Sequence, residues 1–104
     1  MSYTLPAGAR VTEAYLAWLA GLRDAIGRAR VQVRVDRLVH GTPGDHRSLG
    51  GGLWELRVHA GPGYRVYYIS DDRGLTILLG GDKGSQPRDI ARARRLATAL
   101  PQEQ

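Results

Sequence analysis

Cysteine is absent from the chain, so disulfides, zinc thiolate centres and thiol nucleophiles are excluded, and only histidines and carboxylates remain as side-chain ligands for a metal. Long apolar runs are absent as well. Nothing approaches the roughly 20 consecutive apolar residues that cross a bilayer. Met1 to Arg10 has neither the basic leader nor the apolar stretch of a secretory signal, and a cytoplasmic protein without membrane contact is expected. No internal repeat is visible, and only Pro101 to Gln104 reads as a low-complexity tail. Negative charge is in short supply: 10 acidic residues stand against 15 Lys and Arg, for a formal charge of +5 and a pI near 10.2. That balance favours a polyanionic or acidic partner, although a basic surface that only solvates the protein has the same totals. A chain of 104 residues holds one domain, 1–104, around one modest core.

What is present is an α+β pattern. Ser2 to Leu5 alternates as a short edge strand does. Thr12 suits the N-cap of a helix in which Tyr15, Leu16, Trp18, Leu19 and Leu22 recur at helical spacing, with Gly21 weakening its end. Asp24 to Val39 supports two periods: Val31, Val33 and Val35 alternate as in a strand, whereas Val31, Val35, Leu38 and Val39 fit a helix. The helix also gathers Arg23, Arg30, Arg34 and Arg37 into one basic stripe, and a second helix is the reading adopted. His40 to Gly52, with five glycines and one proline, reads as a loop ending in the flexible triplet Gly50-Gly51-Gly52.

Three strands are expected next, Leu53 to His59, Tyr64 to Ser70 and Leu75 to Gly80, arranged as an antiparallel meander. The last is so continuously apolar that it belongs at the centre of the sheet or under cover on both faces. After a loop from Gly80, Ser85 can cap a final helix from Gln86 to Leu100, with Pro87 in its first turn. Ile90, Ala93, Ala97 and Leu100 then face inward, and Arg88, Arg92 and Arg95 form a second basic stripe.

Pairing the more apolar faces of the first two strands of the meander, Trp54, Leu56 and Val58 with Tyr64, Val66 and Tyr68, sets a register that places Arg57 opposite Arg65. Facing arginines repel unless an anion lies between them, which suggests a phosphate site. The plain alternative is that each guanidinium finds Glu55, an Asp or solvent. His59 and Tyr67 share that face and add a titratable ring and a phenol. The segment Gly80-Gly81-Asp82-Lys83-Gly84-Ser85 offers a phosphate backbone N–H groups, the Lys83 ammonium and a positive helix end, although its glycine spacing is not that of a nucleotide-binding P-loop. An ordinary glycine-rich turn is the alternative.

Taken in order, Gly50-Gly51-Gly52-Leu53-Trp54-Glu55-Leu56-Arg57, Gly61-Pro62-Gly63-Tyr64-Arg65-Val66-Tyr67-Tyr68, Leu78-Leu79-Gly80-Gly81-Asp82-Lys83 and Asp89-Ile90-Ala91-Arg92-Ala93 resemble the addiction-module killer proteins, HigB-like members of the RelE/ParE superfamily. The likeness covers about Val31 to Ala97, and the helical segment from Thr12 to Leu38 resembles the family's helical hairpin. The resemblance implies a RelE-like fold, two N-terminal helices packed on a small antiparallel sheet followed by a C-terminal helix. It also implies the toxin of a type II toxin–antitoxin system, an endoribonuclease that cuts mRNA on the ribosome by attack of a ribose 2′-OH on its own 3′ phosphate, with no metal and no cofactor. Its partners would be the ribosome, mRNA and a cognate antitoxin, with a helix-turn-helix domain, in a possible hetero-oligomer.

Carried over by motif, Arg65 would stabilise the charge of the pentavalent phosphate, with Arg57 beside it. Lys83 would serve as acid or base, because an amine can give up its proton in a basic pocket whereas a guanidinium does not. His59 is the alternative, and Tyr67, Tyr68 or His59 would have to stand in for the C-terminal Tyr or His of RNA-cleaving relatives, since no Tyr or His follows Lys83. Arg30, Arg34, Arg37, Arg88, Arg92 and Arg95 are the expected RNA contacts. Two other classes remain open: a ParE-like inhibitor of DNA gyrase that acts by binding, and an RNA- or ribosome-binding module without catalysis.

Overall fold

The computed structural model describes residues 2–4 and 8–100; Leu5 of the expected first strand and the tail from Pro101 to Gln104 lie outside the described residues. The elements are β1 (Ser2–Thr4), β2 (Arg10–Thr12), α1 (Glu13–Gly21), α2 (Ala25–Val39), β3 (His46–Gly50), β4 (Leu53–Val58), β5 (Tyr64–Asp71), β6 (Gly74–Asp82) and α3 (Gln86–Ala99), with a single 3₁₀ turn (Lys83–Ser85) before α3. The α+β class, both N-terminal helices, the meander and the last helix are where the sequence places them. The sheet is larger and mixed rather than antiparallel throughout. Its order is β1-β2-β6-β5-β4-β3, and β2 runs parallel to β6 because α1 and α2 intervene before the chain returns.

Local chemistry accounts for the helix starts. Thr12 accepts the Tyr15 N–H at 3.1 Å and donates its hydroxyl to the Leu78 carbonyl at 2.6 Å. Asp24 caps α2 by accepting the Gly27 N–H at 2.9 Å and the Tyr64 hydroxyl at 2.9 Å. Ser85 does not cap α3 as expected. Asp82 does the capping one turn earlier, accepting the N–H groups of Gly84 and Ser85 at 2.8 and 3.1 Å, while the Ser85 hydroxyl donates to Asp89.

The segment read as a loop from His40 contains β3. Gly50 pairs with Leu53, and Gly51 and Gly52 take φ of 62° and 83°, the two positive values that a tight hairpin turn requires. The triplet is therefore a turn element. Because β3 is short and mostly exposed, it carries no apolar alternation to betray it.

Alternation along β4 to β6 builds two cores. One face packs Val11, Leu56, Val58, Tyr64, Val66, Tyr68 and Ile77 against Tyr15, Val31, Val35 and Leu38 of α1 and α2. The other packs Leu53, Tyr67, Leu78 and Leu79 against Ala93 of α3, with Ile90, Leu96, Ala97 and Leu100 around it. A bulge between Tyr67 and Tyr68 opposes Tyr67 to Leu79 and Tyr68 to Ile77, which leaves Leu78 as the extra residue and lets Leu78 and Leu79 join the same cluster. Cover on both faces explains why β6 is apolar along its length, as its sequence suggests.

Candidate functional site

The expected register is the observed one. Arg57 is the cross-strand partner of Arg65, and Arg65 lies opposite Gly81 on β6. Each arginine has found a carboxylate, which is the plainer of the two readings. Arg57 donates Nη2 and Nε to Asp45 Oδ1 at 2.8 and 3.2 Å. Arg65 Nε sits 3.9 Å from Glu55 Oε1, and its Nη1 donates to the Tyr64 carbonyl at 3.2 Å.

Glu55 is 0% exposed. It accepts Arg47 Nε at 3.0 Å and the Gln86 side-chain amide at 2.5 Å, so one buried carboxylate ties β3, β4 and the start of α3 together and supplies counter-charge to Arg65. Neither Arg65 Nε nor the Tyr67 hydroxyl has a hydrogen-bond partner, although both are buried. Such groups are uncommon in folded proteins.

Tyr67 corrects an expectation. Its side chain is 0% exposed, and burial, followed by the nearby Glu55 charge, pushes its phenol far above the ordinary range. So enclosed, the phenol is not presented at the surface, and its ring packs under α3. Lys83 is exposed, and its N–H donates to the Gly63 carbonyl at 2.8 Å. Gly63, at φ 83°, has Arg65 Nη1 and Lys83 Cβ 3.4 and 3.5 Å from where a Cβ would stand. Arg65 and Lys83 therefore flank one glycine, whose φ of 83° a larger residue would adopt only under strain.

The Gly80 to Ser85 segment does not offer the anion cradle its glycines suggest. The Asp82 carboxylate already holds the N–H groups of Gly84 and Ser85, and a phosphate there would meet a negative charge. Gly80 and Gly81 serve packing, since a Cβ at Gly80 would overlap Trp18 and one at Gly81 would overlap Asp89.

His59 places Nε2 2.6 Å from Asp45 Oδ2. Asp45 therefore joins Arg57 to His59, and the hydrogen bond from His59 holds its carboxyl below the usual range, with burial opposing it and the Arg57 contacts adding to it. The Asp45 carbonyl accepts the Arg57 N–H at 2.9 Å and Arg34 Nη2 at 3.3 Å. Lys83, Arg65, Arg57, Asp45 and His59 form one row across the end of β4 and β5. Asp45 was overlooked in the sequence because it lies in the segment read as loop; an acidic residue next to a glycine turn carries no periodic signal.

The two basic stripes differ. Arg34 turns inward, donating to the carbonyls of Arg57 and Pro43 at 2.8 and 2.7 Å, so it leaves the expected RNA-contact set and acts as a clamp between α2, β4 and the segment before β3. Arg30 and Arg37 are exposed and line, with Ile26, Ala29, Val33 and His59, a groove of about 570 Å³. On α3, Arg88, Arg92 and Arg95 are all exposed. Arg88 has one long contact, 3.9 Å, to Asp89.

Chemically, the row can hold an anion beside Arg65 and Lys83 and move a proton at His59. Among the described residues no three His, Asp or Glu side chains gather as a metal site, and no helix is long and apolar enough to cross a membrane.

No family model and no solved structure matches the chain. A protein of Haemophilus influenzae (strain Rd) described as an uncharacterized protein is 40% identical over 92 residues, which is 88% of this chain and 93% of that protein.

Proposed function

We propose that this chain, which belongs to one family with the Haemophilus influenzae protein, is a ribosome-dependent mRNA endoribonuclease of the RelE-like kind. It is the toxin of a type II toxin–antitoxin pair, works in the cytoplasm where its substrate is translated, and is neutralised by an antitoxin that carries a helix-turn-helix domain. The observation that carries this reading is the row in which Arg57 faces Arg65 and Lys83 meets Arg65 across Gly63. Positive charge gathered at one end of the central strands suits the pentavalent phosphate formed when a ribose 2′-OH attacks the neighbouring phosphorus. The order of elements, a helical hairpin, a three-stranded meander and a final helix, supports a RelE-like arrangement extended by β1, β2 and β3.

In this reading Arg65, braced by Glu55, bears on the developing charge. Lys83, exposed beside it, gives a proton to the leaving 5′ oxygen. Arg88, Arg92 and Arg95 hold phosphates of the substrate or of ribosomal RNA, and no metal or cofactor takes part.

Induced expression in a bacterial host, with mRNA 5′ ends mapped within minutes, tests the proposal. New ends inside translated frames are expected for the wild type and should vanish in Arg65→Ala/Lys83→Ala. Equal toxicity of a folded double variant would sink the assignment. Growth arrest with intact mRNA would favour inhibition of gyrase or another protein by binding alone, a reading to which the exposed Ile26 and Val33 on α2 lend weight.

A further inference from the structure

Both oxygens of the Asp45 carboxylate are committed. Oδ1 is gripped by Arg57 Nε and Nη2, and Oδ2 lies 2.6 Å from His59 Nε2. The residue's backbone is held as well, its carbonyl taking hydrogen bonds from the Arg57 N–H and from Arg34 Nη2. A carboxylate that takes three hydrogen bonds, on a residue whose backbone takes two more, is a rigid acceptor. An ionised carboxylate only accepts, so the neutral His59 ring must carry its proton on Nε2 and present Nδ1 as a lone pair. The ring is otherwise open, with 73% of the side chain exposed. It stands next to Arg57 and on the groove whose charged lining, Arg30, Arg34 and Arg37, is basic.

Resting on the nuclease reading above, we propose that His59 is the proton acceptor of the reaction and that Asp45 is its positioning residue. His59 Nδ1 takes the proton of the ribose 2′-OH as the 2′ oxygen bonds to phosphorus. The bond from phosphorus to the 5′ oxygen breaks, and that oxygen takes a proton from the Lys83 ammonium. The products are a 2′,3′-cyclic phosphate and a 5′-hydroxyl; the proton left on His59 returns to Lys83 through water. Arg57, itself the cross-strand partner of Arg65, shares Asp45 with His59 and so helps to fix the carboxylate that orients the imidazole. This gives acceptor and donor to separate groups, where the sequence alone offered Lys83 and His59 as alternatives for one acid–base duty.

The test uses the full chain and mRNA on programmed ribosomes, comparing wild type, His59→Gln, Asp45→Ala, Asp45→Asn and the double variant Asp45→Ala/His59→Gln. His59→Gln should lower kcat about 100-fold with KM little changed. Asp45→Ala should lower it roughly 10-fold, a smaller loss because the ring itself remains. The double variant should be no slower than His59→Gln, because Asp45 acts through His59. Ring ¹⁵N spectra at about pH 9, where imidazole is neutral, should report one His59 tautomer in the wild type and a mixture in Asp45→Ala. Asp45→Asn keeps the shape should the alanine variant unfold, and its amide, which donates as readily as it accepts, should also release the tautomer.

Additive losses in the double variant, a mixture of tautomers in the wild type, or a cleavage rate indifferent to His59→Gln would each overturn the inference while leaving the nuclease reading in place. A wild type that cleaves no RNA on ribosomes overturns the nuclease reading and this step together.

Discussion

Glu55 and Tyr67 are neighbours on the α3 side of the sheet, and they answer opposite questions. Glu55 is a buried charge with partners: Arg47, Arg65 and Gln86. Removing one member of such a set strands the others, and Glu55→Ala is expected to cost about 3–5 kcal/mol, read from urea unfolding. Tyr67 is a buried hydroxyl without a partner. Deleting an unsatisfied group removes a desolvation penalty rather than a bond, so Tyr67→Phe should leave stability unchanged or raised by about 1 kcal/mol and leave RNA cleavage untouched. A loss of cleavage in Tyr67→Phe would mean that the phenol reaches the substrate after all. Arg65 shows what burial does to a cation: held at 9% exposure, its guanidinium is oriented by its surroundings.

At the scale of elements, α2 owes its start to Asp24, whose carboxyl is held below the ordinary 3.8, first by the Gly27 N–H and then by the Tyr64 hydroxyl, against a smaller effect of burial. A carboxylate whose folded value lies below its unfolded one stabilises fully above the unfolded value and loses that contribution as pH falls through the folded value. Asp24→Ala should therefore lower Tm at neutral pH, and the gap from wild type should close progressively below about pH 4. A gap independent of pH would assign the effect to packing alone. The helices and the meander were legible in the sequence because Tyr15, Val31, Val35 and Leu38, and then Trp54 to Val58 and Tyr64 to Tyr68, keep their periods. The Arg57–Arg65 register was legible for the same reason. β2 and β3 were not: three residues and five mostly exposed ones are too few or too polar to show a period. The missed β3 hid Asp45, and pairing between strands far apart in sequence hid the parallel edge. Arg34 was misread because helical periodicity gives the direction of a side chain but not the length of an arginine, which reaches back to the Arg57 carbonyl.

For the whole molecule, the charge of +5 is unevenly used. Arg34, Arg47 and Arg57 are engaged in holding the fold, whereas Arg88, Arg92 and Arg95 stand in solvent along one helix. RNA affinity should therefore fall steeply with salt, and each alanine at Arg88, Arg92 or Arg95 should flatten the logarithmic salt slope by about 0.7 for single-stranded RNA with little change in kcat. An unchanged slope in the triple variant would move the RNA path elsewhere on the surface.

The hydrogen bond from Thr12 to the Leu78 carbonyl spans 66 residues, and with the parallel pairing of Val11 and Ile77 it makes the first turn of α1 wait on the last strand of the sheet. During synthesis on a ribosome β2 emerges long before β6, so it has no neighbour on that side until nearly the whole chain is made. Distant pairing of this kind is slow to form, because the intervening loop must close before any contact rewards it. The row, in which the Lys83 N–H meets the Gly63 carbonyl, is subject to the same delay. A half-made chain has neither that pairing nor the row, and the proposed site is assembled only at the end of the protein's own translation.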